Sequence, residues 1–121
     1  MKVSITGSRN MSDEDISLCI GGLKPMLIAA SADIITGDCP SGVDSFVREN
    51  YARIDVFKAD WNKHGKAAGP IRNREMAQAA DVSIVIWDGK SRGSRNMIGE
   101  ARRAGNMLYV CFPGKVREGA Q

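Results

Sequence analysis

A short apolar run, Val82-Ser-Ile-Val-Ile-Trp87, constrains the fold of this chain more than any other stretch. The run is rich in β-branched residues and is bounded by Asp81 and by the turn-forming pair Asp88-Gly89. Such a segment is typical of a central strand in a parallel sheet that has helices on both faces. Apolar residues at helical spacing precede it over residues 71–80 and follow it over residues 97–104. The centre of the chain is therefore predicted to form helix, buried strand, glycine-rich loop and helix.

The same order of strand, turn and helix recurs along the chain. Further strands are predicted at residues 2–6, 33–36, 54–58 and 106–112, with helices between them. This alternation predicts an α/β fold, a Rossmann-like and mainly parallel five-stranded sheet of order 3-2-1-4-5 with helices on both faces. Residues 1–113 are predicted to form a single domain, and the polar residues 114–121 a flexible C-terminal tail.

Two segments depart from this regular pattern. Gly21-Gly22 and Pro25 interrupt the apolar stripe of the first helix, so a bend or a restart is expected there. Residues 59–70 mix aromatic, basic and small residues, and they are predicted to form an irregular loop.

Composition limits the classes of partner and compartment. The 121 residues carry a formal charge of +3, with 43% hydrophobic and 26% charged residues, as in ordinary globular proteins. Three cysteines without paired spacing argue against a disulfide framework and against a zinc site. No apolar run approaches the length of a membrane span, and no signal peptide is recognisable. A cytoplasmic protein without membrane contact, cofactor or metal is expected.

Three glycine-containing loops are predicted to meet at one edge of the sheet, after its first, second and fourth strands. Ligands of open α/β sheets bind beyond the carboxyl ends of the strands at the switch point, here between the first and fourth strands. Free N–H groups and basic side chains of these loops outline an anion site. Its candidate ligand- or phosphate-binding residues are Gly7, Ser8, Arg9, Gly37, Asp38, Gly42, Asp44, Gly89, Ser91, Gly93, Ser94 and Arg95. Each loop taken alone is also compatible with an ordinary strand-to-helix turn, and Asp44 with a plain helix-start residue.

The segment before the fourth strand adds candidate contacts. Trp61 or His64 can stack on a base and Lys66 can meet a phosphate; the alternative is a tryptophan that closes the sheet edge and a solvated histidine. Arg72 and Arg74 lie near a helix start, where the dipole disfavours cations, so an anion is expected nearby unless they are solvated or paired with a neighbouring acid.

Five motifs together resemble a known family. They are Thr6-Gly-Ser-Arg9, Gly37-Asp-Cys-Pro-Ser-Gly-Val-Asp44, Ala59-Asp-Trp-Asn-Lys-His-Gly65, Gly69-Pro-Ile-Arg-Asn-Arg-Glu-Met76 and Ser91-Arg-Gly-Ser94. They resemble the YspA-like branch of the SLOG superfamily, which also contains the Lonely Guy phosphoribohydrolases and the DNA-processing protein DprA. The resemblance implies a Rossmann-like domain that binds nucleotides or nucleotide-derived ligands, and it adds Asn73 to the candidate site.

The resemblance leaves catalysis open. Arg72 falls on the arginine position of the Lonely Guy enzymes, but Met97 stands where those enzymes carry a glutamate. Hydrolysis of an N-glycosidic bond needs a carboxylate beside the ribose. Glu100 is the nearest acid, so Arg72 and Glu100 are the candidate catalytic pair, with Asp38 or Asp44 as other acids.

The leading interpretation is therefore a nucleotide-type small-molecule binding domain, with a nucleoside 5′-monophosphate phosphoribohydrolase as the alternative. DprA-like single-stranded DNA binding is a minor alternative, suggested by the Gly42-Val43-Asp44 turn. Nucleic acid is disfavoured as a partner because several of the seven aromatic residues are assigned to the core. A homodimer or higher homo-oligomer is expected from apolar residues on the first and last helices, namely Leu18, Met26, Leu27, Met97, Ile98, Ala101 and Ala104.

Overall fold

One six-stranded sheet organises the chain. The computed structural model describes residues 1–29, 31–112 and 115–118, the last range as a strand without its side chains. The strand order is β3-β2-β1-β4-β5-β6. The first five strands pair in parallel, and β6 pairs antiparallel with β5. The predicted parallel order 3-2-1-4-5 is confirmed. The strands are β1 (Lys2–Gly7), β2 (Asp33–Gly37), β3 (Ile54–Phe57), β4 (Val82–Ile86), β5 (Met107–Phe112) and β6 (Lys115–Glu118).

Helices cover both faces of the sheet because successive side chains of each strand point to opposite sides. On β4, Ile84 packs in a core cluster with α1 and α2, while Val85 packs in a second cluster with α4 and α5. Within the described ranges no helix combines the length and the apolar character that crossing a bilayer requires. The helices are α1 (Asp13–Ala29), α2 (Val43–Asn50), α3 (Trp61–His64), α4 (Ala68–Ala79) and α5 (Arg92–Arg103), with a 3₁₀ turn at Gly65–Ala67 between α3 and α4.

Both segments that depart from the regular sequence pattern are helical. Helix α1 continues through Pro25, with Ser12 Oγ accepting the Asp15 N–H at its start. The expected restart is absent from α1, since Gly21 and Pro25 lie on its exposed side, where water can satisfy the carbonyl that proline leaves unbonded. Residues 61–79 run through α3, the 3₁₀ turn and α4, and Asp60 caps the first of them by accepting the Lys63 N–H.

The sixth strand lies in the segment for which the sequence analysis expected a tail. Residues Lys115–Glu118 pair with Tyr109 to Phe112 of β5. The other residues of that segment, 114 and 119–121, lie outside the described residues.

A disulfide joins Cys19 of α1 to Cys111 of β5, and Cys39 is a free cysteine. This pairing corrects the expectation that the cysteines form no disulfide. The two residues are 92 positions apart in sequence, so their spacing carried no sign of a pair. Both are almost fully buried between α1 and the sheet, where the fold brings them together.

The apolar faces on which the oligomer prediction was based are largely internal. Met97 and Ala101 are fully buried in the core beneath α5, and Leu27 of α1 is also buried. Leu18 and Ile28 of α1 remain exposed by 61% and 70%. The last helix therefore offers less apolar surface than expected, and a homodimer or higher assembly stays a prediction.

Candidate ligand-binding site

A cavity of about 390 Å³ opens at the carboxyl edge of the sheet, between the ends of β1 and β4. This is the switch point at which the sequence analysis expected a ligand. Helices α3, α4 and α5 and the loops after β1 and β2 supply its walls. The lining residues are Thr6, Gly7, Arg9, Cys39, Trp61, Lys66, Gly69, Pro70, Arg72, Asn73, Ser91, Arg92, Gly93, Ser94 and Asn96.

The rim of this cavity is basic and carries one aromatic ring. Arg9, Lys66 and Arg92 are exposed, and none of the ion pairs in the described part of the chain involves them. Trp61 is 50% exposed, and its ring lies over Gly69, where a Cβ would be 3.4 Å from Trp61 Cη2. Trp61 therefore faces the cavity instead of closing the sheet edge. His64 does not line it.

The loop before α5 is shaped by Asp88, which accepts the N–H groups of Lys90 and Ser91, each at 2.8 Å. The N–H groups of Ser91 and Lys90 hold the pKa of this carboxyl below its ordinary value. The carboxylate therefore stabilises the loop above the usual carboxyl range and loses this contribution as the solution is acidified. Ser91 then caps α5 by accepting the Ser94 N–H. The first turn of α5 lines the cavity through Arg92, Gly93 and Ser94.

Two predicted ligand contacts, Ser8 and Ser94, are buried and connect the loops to each other. Their hydroxyl oxygens lie 3.3 Å apart, and Ser8 Oγ also accepts the Asp88 N–H. Ser94 lines the cavity, whereas Ser8 does not. Gly89 provides a turn at φ 84° away from the cavity, and Arg95 lies 5.9 Å from the Trp87 ring. Of the predicted residues in this region, Ser8, Gly89 and Arg95 therefore lie outside the cavity lining.

Two side chains of α2 form hydrogen bonds with the backbone of the loop after β2. Asp44 is fully buried and accepts hydrogen bonds from the hydroxyls of Thr6 and Thr36 and from the Cys39 N–H. Arg48 donates to the carbonyl oxygens of Gly37 and Cys39 at 2.8 and 2.7 Å. Gly37, Gly42 and Asp44 were predicted as ligand contacts, but none of the three lines the cavity.

Arg72 differs most from its predicted role as a free phosphate clamp. Its side chain is 8% exposed, and Nη1 forms an ion pair with Asp38 Oδ1 at 2.8 Å. Asp38, also predicted as a contact, therefore lies behind Arg72 and outside the lining. A Cβ on Gly37 would lie 2.8 Å from Arg72 Nη1, so glycine leaves the space in which this arginine sits.

Glu100, the predicted catalytic acid, does not line the cavity. Its buried carboxylate accepts from Arg103 at 2.9 Å and lies 3.7 Å from Arg74 Nε, in a separate cleft between α4 and α5. The structure therefore does not assemble Arg72 and Glu100 into one site. Met97, at the position that the sequence resemblance aligns with the glutamate of the Lonely Guy enzymes, is fully buried in the core.

The structure brings nine predicted residues to the cavity and adds others that the sequence analysis did not select. The predicted residues are Gly7, Arg9, Trp61, Lys66, Arg72, Asn73, Ser91, Gly93 and Ser94. Arg92 lies inside the motif Ser91-Arg-Gly-Ser94, so the sequence motif already indicated that this residue belongs to the site. Asn96 lies one turn into α5, and nothing in the sequence pattern distinguished it from an exposed helix residue.

Arg72→Ala is expected to lower the free energy of unfolding by about 1.5–3 kcal/mol. The substitution leaves Asp38 without its partner and removes a buried side chain, although Asp38 is 30% exposed and water replaces part of the loss. Urea denaturation measures the change. Arg74→Ala is the matched control, because it removes the same charge from an exposed position of α4 and should cost under about 0.5 kcal/mol. Equal, small changes in both variants would contradict a structural role for Arg72.

Comparisons with known proteins found similarity in sequence and in fold. No family model matches the chain. The gene 61 protein of Mycobacterium phage D29 is 46% identical over 52 residues, which are 42% of this chain and 42% of that protein. DNA processing protein A from Helicobacter pylori, described for its single-stranded DNA binding mode, superposes with a TM-score of 0.70 at 23% identity, over 91% of this chain and 64% of its own. The chain thus spans less than two thirds of each of these proteins.

The structural neighbour shares the fold of this chain. It also conflicts with two expectations of the sequence analysis. That neighbour binds single-stranded DNA, whereas the sequence analysis favoured a small nucleotide-type ligand and disfavoured nucleic acid. Both expectations are overturned by this comparison, and the minor alternative is the better supported one.

Proposed function

We propose that this protein binds single-stranded DNA across the cavity at the carboxyl edge of the sheet. The observation that carries the proposal is the rim of that cavity, where an exposed tryptophan stands among three exposed cations, Arg9, Lys66 and Arg92. Bases of the strand stack on Trp61, and backbone phosphates meet the cations.

The chemistry of the rim suits an unpaired strand better than a duplex. Proteins that bind single strands combine a positively charged groove with an aromatic platform, and stacking tolerates any sequence because every base has a π-face. In a duplex the base faces are already stacked on each other and are not available to Trp61. The N–H groups at the start of α5 add donors for a phosphate oxygen.

The fold likeness to DNA processing protein A supports this proposal, because that protein contains a similar fold and is described for its single-stranded DNA binding mode. The sequence resemblance of the Gly42-Val43-Asp44 turn to DprA points the same way. We also propose that the chain belongs to the YspA-like branch of the SLOG superfamily, on the motifs that line the cavity.

Trp61→Ala is expected to weaken binding of a fluorescently labelled oligothymidylate by about 5- to 150-fold, the value of one base stacked on an aromatic ring. Folding should change little, because Trp61 is half exposed at the first turn of α3. Fluorescence anisotropy measures the affinity, and thermal unfolding checks the fold.

Trp61→Phe is the matched control, since phenylalanine keeps a stacking surface and should retain most of the affinity. Titration of the intrinsic tryptophan emission gives a second measurement, because stacking on a base should quench Trp61. Unchanged affinity in Trp61→Ala would contradict the proposed binding mode.

A further inference from the structure

A second cleft continues the line of the cavity along helices α4 and α5. The two helices pack against each other, and residues of their first turns line the cavity. Residues of their later turns line a cleft of about 190 Å³, namely Arg74, Gln78, Glu100, Arg103 and Ala104. The cavity and the cleft therefore lie one after the other along the same pair of helices.

Helical spacing connects the two openings. Side chains that are three or four residues apart lie on the same side of a helix. On α4, Pro70 of the cavity is followed at this spacing by Arg74 of the cleft. On α5, Asn96 of the cavity is followed at this spacing by Glu100 and Arg103 of the cleft. These two rows of side chains border one groove, the α4–α5 groove, which runs from the cavity to the cleft.

The end of the α4–α5 groove that lies away from the cavity carries two exposed cations and one buried acid. The side chains of Arg74 and Arg103 are 61% and 68% exposed, and their nitrogens lie 3.7 and 2.9 Å from the same oxygen of Glu100. Among the described residues, neither arginine has another ion pair or side-chain hydrogen bond. A guanidinium carries five N–H donors, so one carboxylate oxygen leaves most of them for an anion. Glu100 thus holds two cations side by side without neutralising both.

We propose that the bound single strand leaves the cavity along the α4–α5 groove, and that Arg74 and Arg103 contact phosphates of its outer nucleotides. This inference rests on the proposed single-strand binding. Arg103 lies eleven positions after Arg92 of the rim, so the groove is about 16 Å long at 1.5 Å for each helical residue. This length corresponds to about five nucleotides at the 3.4 Å spacing of a stacked strand. A strand that fills only the cavity does not reach the two arginines.

The test compares oligothymidylates of about 12 and about 3 nucleotides, because only the longer one spans the cavity and the groove. Replacing Arg74 and Arg103 together by alanine should weaken binding of the longer oligomer about 10- to 30-fold. Its slope of log affinity against log salt concentration should flatten by about 1.4, which is 0.7 for each phosphate contact. Anisotropy measures both quantities. The affinity of the shorter oligomer, measured by displacement of the labelled longer one, should change less than about twofold.

Glu100→Gln should change the affinity in the opposite direction. Glutamine keeps the shape of the side chain but removes the negative charge that competes with phosphate for the two arginines. The longer oligomer should therefore bind about fivefold more tightly, the value of one charge at about 4 Å in water. Exchange of both arginines for lysine keeps the charges and should retain most of the affinity. Thermal unfolding checks the fold of each variant.

The matched control replaces Arg53 and Arg102 by alanine, which removes two exposed charges that line neither opening. It should keep most of the affinity for both oligomers. Equal losses for the two oligomers in the variant without Arg74 and Arg103, or an unchanged affinity for the longer one, would overturn the groove path and leave single-strand binding at the cavity in place. If wild-type protein binds neither oligomer, the proposed function is wrong and the inference falls with it.

Discussion

Gly42→Ala is expected to lower the free energy of unfolding by about 3–6 kcal/mol, the sum of backbone strain and steric overlap. Gly42 adopts φ 74° and ψ −142°, a region that is almost confined to glycine. An alanine Cβ there would overlap the carbonyl oxygen of Ser8 and lie 2.5 Å from Arg9 Cα. These are backbone atoms, so no side chain can move aside. Because Gly42 precedes α2, the loops after β1 and β2 would have to separate.

Gly22→Ala in α1 is the matched control for this substitution. Nothing lies within 4 Å of a Cβ built on Gly22, and alanine is favoured over glycine inside a helix. We expect the control to gain about 0.5–1 kcal/mol in stability. Urea denaturation of both variants gives the comparison. A Gly42→Ala protein as stable as wild type would contradict the close approach of the two loops.

Replacing Arg9, Lys66 and Arg92 together by alanine is expected to weaken single-strand binding about 100-fold, at roughly 1 kcal/mol for each exposed phosphate contact. Each phosphate contact also contributes about 0.7 to the slope of log affinity against log salt concentration for a single strand. The slope should therefore flatten by about 2 in the triple variant. Anisotropy titrations over a series of salt concentrations measure both quantities.

The matched control removes three exposed charges elsewhere, at Lys24, Arg53 and Arg102. Lys24 and Arg102 lie in the C-terminal halves of α1 and α5, and Arg53 precedes β3, away from the cavity. The control should keep most of the affinity and of the salt slope. Equal losses of affinity in both triple variants would mean that binding depends on the net charge of the protein and not on this cavity.

The sheet and the position of the cavity were predictable because both follow from local patterns in the sequence. The apolar run that became β4 has β-branched residues on both faces, which only a strand covered by helices can bury. Once strands and helices alternate, right-handed crossovers and the switch point follow, and the glycine loops must meet at one edge. The cavity lies at that edge of the sheet.

Other features depend on contacts between distant residues, which a local pattern does not record. The burial of Arg72 requires Asp38, 34 positions away, and the free space above Gly37. Glu100 is turned into a second cleft by Arg103, one helical turn along α5. The helical course of residues 61–67 was missed because the segment is short and lacks an apolar stripe, although Asp60 marks its start.

The measurement that tests the central claim most directly is the affinity of the wild-type protein for one labelled oligonucleotide, first as a single strand and then annealed to its complement. Because Trp61 needs an unpaired base, the single strand should bind at least about tenfold more tightly at the same salt concentration. Equal or tighter binding of the duplex, or no binding of the single strand, would contradict a single-strand site at this cavity.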